Sequence, residues 1–347
     1  MTESRQHLGK LDAIRGFAAV YVVVYHVVHQ LDFIPGYIKL GLFSFGQEAV
    51  MLFFLLSGFV ICWSLNKSNN HTFGNYFIKR FRRIYFPFII AILLSIVIFA
   101  INGSLAERFS WENLAGNLLM LQDFSAVKPG TWVTPFLSNY PLWSLSYEWW
   151  FYLLFFPLYK FLPRNPSRIY FILIISALGF LNYNLIPNQA ALFLSYFIIW
   201  WCGVEAAEIF LYKRKFTLQN MQPIIFCLLF MLGICAVPVL ATKTLRFGYY
   251  PFLTFRHFLA AFIAIIVGLF WYWKKLKYFD KIFGIFGLIA PISYAMYIFH
   301  YPILKYLPVN IYIPNLWVSY FIQFALIIGL AYLTEIKLQP LVNKWLK

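Results

Sequence analysis

This chain predicts an all-α, polytopic membrane helical bundle of about ten transmembrane helices, on three observations. First, 62% of its residues are hydrophobic and only 12% are charged, too few charges to cover a soluble surface of this size. Second, apolar runs recur from one end to the other, and runs of about 20 apolar residues mark membrane-crossing helices rather than a soluble core. Third, the basic excess, a net charge of +16, falls mainly in short connections between those runs, as the positive-inside rule requires. No polar stretch exceeds about 40 residues, too short for a separate soluble domain. Residues 1–347 are therefore expected to form one integral-membrane domain. No basic domain with a readout element exists, which argues against nucleic acid as a partner.

The spans follow in chain order. They are expected near 11–30, 44–66, 84–101, 140–162, 168–187, 190–211, 222–240, 250–273, 288–306 and 315–335. The first is preceded by MTESRQHLGK, which has no cleavage pattern, so it is expected to be retained rather than removed as a signal. The long connection 102–139 contains WENLAGNLLMLQDF, expected to lie at the outer surface or to dip back in, with Trp111 and Trp132 at interfacial depth. The break between the fifth and sixth spans is placed around Asn182–Asn188. With the N-terminus inside, twenty Lys and Arg residues fall in inner segments, among them Arg5, Arg214 and Lys347. Only six fall in outer loops, namely Lys39, Arg108, Lys128, Lys243, Arg246 and Lys305. Both termini are therefore expected in the cytoplasm. The four cysteines, Cys62, Cys202, Cys227 and Cys235, all lie in apolar runs and read as small buried hydrophobes.

Polar groups inside the spans are where chemistry is sought, since each costs about 2.5–3.5 kcal/mol on insertion scales. The stretch RGFAAVYVVVYH puts Arg15 and His26 eleven residues apart. That spacing returns to nearly the same helix face, about 16 Å deeper. The competing reading is that Arg15 snorkels to headgroups and His26 is a hydrogen-bonded core residue. Glu148 and His300 fall at a comparable depth, between the midplane and the outer leaflet. Two imidazoles and a carboxylate at one depth point to an active site. A metal is not expected: His26 and His29 have a usable i, i+3 spacing, but Glu148 alone supplies too few acids.

Five phrases taken in order resemble the acyltransferase 3 family of integral-membrane O-acyltransferases, over nearly the whole chain. They are LDAIRGFAAVYVVVYH with Arg15 and His26, FFLLSGF at 53–59, KRFRRIYFP at 79–87, WSLSYE ending in Glu148, and SYAMYIFH ending in His300. Some family members carry an added esterase-like domain; none is expected here. The resemblance implies transfer of an acyl group, often acetyl, from cytosolic acyl-CoA to a hydroxyl, usually on a carbohydrate or a lipid-linked saccharide. It also implies polysaccharide modification in a cell envelope and a bacterial inner-membrane location among membrane lipids.

Under that implication the residues take roles. Arg80, Arg82 and Arg83, with Arg15 beyond them, would hold the acyl-CoA phosphates, to which guanidinium forks are suited. Plain anchoring at the inner surface is the alternative for this cluster. His26 would act as general base on the acceptor hydroxyl or as the nucleophile that takes the acyl group; both remain open. Glu148 would orient that imidazole or stabilise its cation. His300 would bind the thioester oxygen or the acceptor. Ser57, Trp143 and Tyr297 would form the pocket walls. Arg256 and His257, with Glu48, would meet the acceptor from outside. A different class stays in view: a proton-coupled transporter using His26, Glu148 and His300 as a relay, although no internal repeat supports it.

Overall fold

The computed structural model describes residues 2–165, 167–213, 215–243 and 245–345, with side chains from Leu8 onward. The Arg5 side chain, Arg214 and Lys347, counted above as inner charges, lie outside the described residues. The described chain is helical throughout, and its only ladder-like contact is an isolated bridge between Gln122 and Val133.

The helices are α1 (Thr2–Gln30), α2 (Gly36–Leu42), α3 (Gly46–Lys67), α4 (Phe73–Ile101), α5 (Leu105–Arg108) and α6 (Trp111–Leu118). They continue as α7 (Trp143–Phe161), α8 (Ser167–Leu185), α9 (Gln189–Glu208), α10 (Leu218–Thr242) and α11 (Phe252–Trp273). The last are α12 (Phe279–Phe283), α13 (Ser293–Tyr306), α14 (Val309–Tyr312), α15 (Leu316–Tyr332) and α16 (Gln339–Trp345).

Eight helical stretches among the described residues are long and apolar enough to cross a membrane, and a bent pair makes nine. The multi-pass bundle stands. The expected fourth span, α7, is helical over 19 residues but is not among those eight. It is rich in Trp, Tyr and Ser because it packs inside the bundle against α3, α4 and α9, where neighbours rather than lipid meet its polar groups. A bend lies at the start of the expected ninth span, where Phe279–Leu288 and Ala290–Tyr306 meet at 45°. Irregular backbone at membrane depth is tolerated where it lines a cavity, and Ser293 and Tyr294, just past the break, do so.

The third span begins earlier than expected. Thr72 caps α4 by accepting from the Asn75 N–H, and the helix runs on through KRFRRIYFP with Pro87 inside it. Proline removes one helical donor, yet flanking contacts hold the turn: the Tyr294 hydroxyl donates to the Ile84 carbonyl at 3.0 Å. The basic phrase is thus helical, and its residues have a fixed phase.

Charged contacts gather at the two ends of the bundle. At the basic end Lys10 pairs with Asp280 at 3.0 Å, Arg83 with Glu335, and Arg82 donates to the Asn343 carbonyl at 2.9 Å. At the opposite end Arg256 pairs with Glu48. Segment 102–139 caps that opposite end. Its short helix α6 leaves Trp111 76% exposed, which suits the interfacial depth expected of it.

Candidate active site

Two cavities meet at one tyrosine. The first is a basin walled by Arg15 of α1, Ser57 of α3, Arg80 and Arg83 of α4, Glu148 of α7 and Tyr294 of α13. Arg80 and Arg83 share it because residues three apart lie on one face of α4. Arg82, two residues from Arg80, points away toward α16, so it stands outside the basin. The cations are braced rather than loose. Arg15 pairs with Asp12, Arg83 pairs with the buried Glu335, and Arg80 donates to Ser64 Oγ at 2.8 Å. Arg15 Nε and Arg80 Nε are buried without a partner, and such donors are costly unless a ligand meets them.

Glu148 is the counter-charge in this basin. Ser57 Oγ donates to it at 2.6 Å, and the Tyr152 hydroxyl also donates to it. Trp200 Nε1 in turn donates to Ser57 Oγ at 3.2 Å, so α9 fixes the serine rotamer. The expected pairing of Glu148 with His26 does not form. Helix α7 delivers the carboxylate to the arginine side of Tyr297, and its hydrogen bonds are taken up there.

The second cavity holds His26. Its walls include Tyr25, Gln47 and Val50, with Phe124 from segment 102–139, and Tyr140, Trp143 and Tyr301. What stands beside His26 is His300, with ring centroids 5.1 Å apart, while Tyr301 meets the same ring edge-on at 4.9 Å. His300 Nδ1 lies 2.6 Å from the Tyr297 carbonyl. A carbonyl only accepts, so Nδ1 carries the proton and Nε2 offers a lone pair. That Nε2 is buried and has no partner.

Tyr297 lines both cavities. Its hydroxyl donates to the Pro141 carbonyl at 3.0 Å and lies 3.0 Å from Ser144 Oγ. Phe53 packs on its ring at 5.5 Å. Trp143 walls the imidazole cavity only, and Ser57 the arginine basin only.

At the end opposite the basic residues a third cavity contains Arg256 and Glu48, and it shares Tyr25 and Gln47 with the imidazole cavity. Arg256 also donates to the Ser44 carbonyl at 3.1 Å and sits 3.2 Å over the Phe247 ring. His257 is not part of it, a correction to the expectation. One residue along α11 turns it inward, where it is fully buried, stacked on Trp143 at 7° between planes and bonded through Nδ1 to the Tyr196 hydroxyl at 2.7 Å. No group of three or more His, Cys, Asp or Glu with metal-binding geometry occurs among the described residues.

The family model described as an acyltransferase domain matches residues 8–336. The chain belongs to the acyltransferase 3 family. This member is similar to Acyltransferase MdmB of Streptomyces mycarofaciens, 33% identical over 166 residues. The aligned region covers 46% of this chain and 41% of the relative, so less than half of either is compared. No solved structure matches. The family is one of acyltransferases, a chemistry that calls for an acyl donor and an acceptor. Sequence reasoning missed Asp12, Glu335, Tyr152 and Tyr294. Asp12 and Tyr152 brace Arg15 and Glu148 from three and four residues away on the same helix, a spacing the sequence does carry. Glu335 and Tyr294 reach Arg83 and Ile84 from segments distant in sequence, which nothing in the chain's linear order signals.

Proposed function

We propose that this acyltransferase moves an acyl group, acetyl first, from cytosolic acyl-CoA to a hydroxyl of a carbohydrate or lipid-linked saccharide. Residues 1–347 act as one domain in a bacterial inner membrane, with the acceptor arriving from the outer side. The observation that carries this reading is that Tyr297 forms the common wall of a three-arginine basin and the cavity of His26, whose ring has His300 beside it. Arg15, Arg80 and Arg83 supply positive charge and guanidinium forks for the phosphates of the donor. Arg82 lies outside the basin and contributes field rather than contact.

In the reaction, His26 takes the proton of the acceptor hydroxyl. The oxygen attacks the thioester carbonyl, the tetrahedral intermediate collapses, and the C–S bond breaks. The imidazolium returns its proton to the departing thiolate of CoA. His300, whose Nε2 lone pair is free, steadies the protonated His26 from 5.1 Å between centroids, a role first expected of Glu148. Glu148 instead tunes the charge of the basin. Arg256, Glu48 and Gln47 receive the acceptor in the outer cavity.

The test uses purified protein and labelled acetyl-CoA, with transfer to candidate glycans and thioester hydrolysis both followed. His26→Ala is expected to lower turnover by about 10²–10⁴, the usual worth of a positioned acid–base group, while CoA still binds. Turnover that persists in His26→Ala removes the imidazole from the mechanism. Proton-coupled solute uptake without donor binding would favour a transporter instead.

A further inference from the structure

Helix α3 lines the length of the passage. From the basic end, Trp63, Val60, Ser57, Phe53, Val50 and Gln47 follow one another three or four residues apart, a stripe that winds slowly round the helix. Ser57 and Phe53 belong to the arginine basin, and Val50 and Gln47 to the imidazole cavity. Trp63 and Val60 belong to a further cavity between α1 and α3, which shares Arg15, Leu56 and Val60 with the basin. Leu8, Leu11 and Asp12 complete its wall.

Trp63 differs from the tryptophans packed inside the bundle; the others without a ring contact among the described residues, Trp132, Trp273 and Trp345, are exposed. Trp143, Trp149 and Trp200 each pack on neighbouring rings. The Trp63 indole is half-buried and faces no other ring among the described residues. Beside it, Arg15 spends one side of its guanidinium on Asp12 and keeps Nε unpartnered. Ten residues separate Trp63 from Phe53 at the Tyr297 wall, about 15 Å along the helix. A ligand with its reactive end at Tyr297 and its charge among the arginines would therefore bring its far end to this cavity.

We propose that the cavity walled by Trp63 is the subsite for the purine base of the donor, stacked on the indole where it lines that cavity; this rests on the acyl-CoA reading above. A base on an aromatic face gains from dispersion and stacking whatever its hydrogen bonds, and the loss of one such platform weakens binding on the order of tenfold. The leucines Leu8 and Leu11 offer the base an apolar border, and Arg15 stands where this cavity opens into the basin.

The experiment compares CoA with 4′-phosphopantetheine, which lacks the nucleotide, by calorimetry on the full chain in lipid nanodiscs. Trp63→Ala is expected to weaken CoA on the order of tenfold and to leave phosphopantetheine unchanged, which also reports an intact basin. Trp63→Phe should recover most of the CoA affinity. Equal loss for both ligands, or loss for neither, overturns the base subsite while the donor reading stands. If the unmodified protein binds neither ligand, the donor reading falls and this proposal falls with it.

Discussion

His300 enters the site with its tautomer already chosen. The Tyr297 carbonyl, one turn earlier on α13, accepts a hydrogen bond from Nδ1–H and leaves Nε2 as an acceptor beside His26. Neither imidazole needs a carboxylate for this arrangement, which frees Glu148 for other work. Glu148 sits among guanidinium groups, held by Ser57 and Tyr152. Two outcomes then separate its roles in Glu148→Gln. As basin counter-charge, its neutralisation should tighten CoA binding several-fold, the effect of removing one negative charge near a polyanion in a partly shielded site, about 1 kcal/mol. The pH midpoint of turnover should stay where it is. A shifted midpoint with unchanged CoA affinity would return Glu148 to the imidazole. Calorimetry and a pH–rate profile on the same preparation decide it.

Helix α3 can line all of these cavities because α9 lets it come close. A Cβ added to Gly58 would stand 2.0 Å from the Trp200 carbonyl oxygen, and one added to Gly203 would stand 2.0 Å from that of Leu55. Two facing glycines therefore bring backbone against backbone, the small-residue packing that membrane helices use in place of a hydrophobic drive. Gly58 adjoins Ser57, and Trp200 donates to that serine, so the contact also sets the floor of the basin. Gly58→Ala or Gly203→Ala should lower the thermal midpoint in detergent by an amount corresponding to about 1–3 kcal/mol of overpacking. Gly233→Ala on α10, where nothing lies within 4 Å of the added carbon, is the control expected to change little. A Gly58→Ala midpoint equal to that control would refute the close approach. Such contacts mark the boundary of what the chain could tell in advance. The Arg15–His26 stripe was readable because a single helix has a fixed phase. The resemblance to the acyltransferase 3 family was readable because its phrases are local, and the family match supports it. The partner of His26 was not, since choosing His300 over Glu148 depends on which side of Tyr297 each helix delivers its side chain. Arg82 was grouped with Arg80 and Arg83 because α4 was expected to begin after them; once the helix includes them, its phase parts them.

The outer segment ties the bundle together at the end opposite the basic residues. Lys128 and Asp123 form an ion pair with neither side chain exposed, 2.9 Å apart. Asp123 also accepts from the Phe124 N–H at 2.6 Å and the Tyr147 hydroxyl at 2.5 Å. The Lys128 ammonium lies 3.8 Å over the Trp143 ring, near enough for a strong cation–π attraction. Phe124 and Trp143 are both walls of the imidazole cavity, so this pair joins the surface segment, α7 and the site in one unit. A buried pair is seldom more stabilising than apolar residues of equal size, but breaking it leaves a bare charge and costs about 3–5 kcal/mol. Lys128→Met, which strands the Asp123 charge, should therefore lower the thermal midpoint more than any of the glycine variants. Lys128→Met combined with Asp123→Asn removes both charges at nearly constant volume and should recover most of the loss. If the pair serves only to hold the segment down, the recovered double variant will also regain full acetyl-CoA hydrolysis. If it sets the wall of the site, stability will return while turnover stays low and the KM for acetyl-CoA is unchanged, because the donor basin lies on the other side of Tyr297. A single variant as stable as the unmodified protein would mean that Asp123 meets water after all.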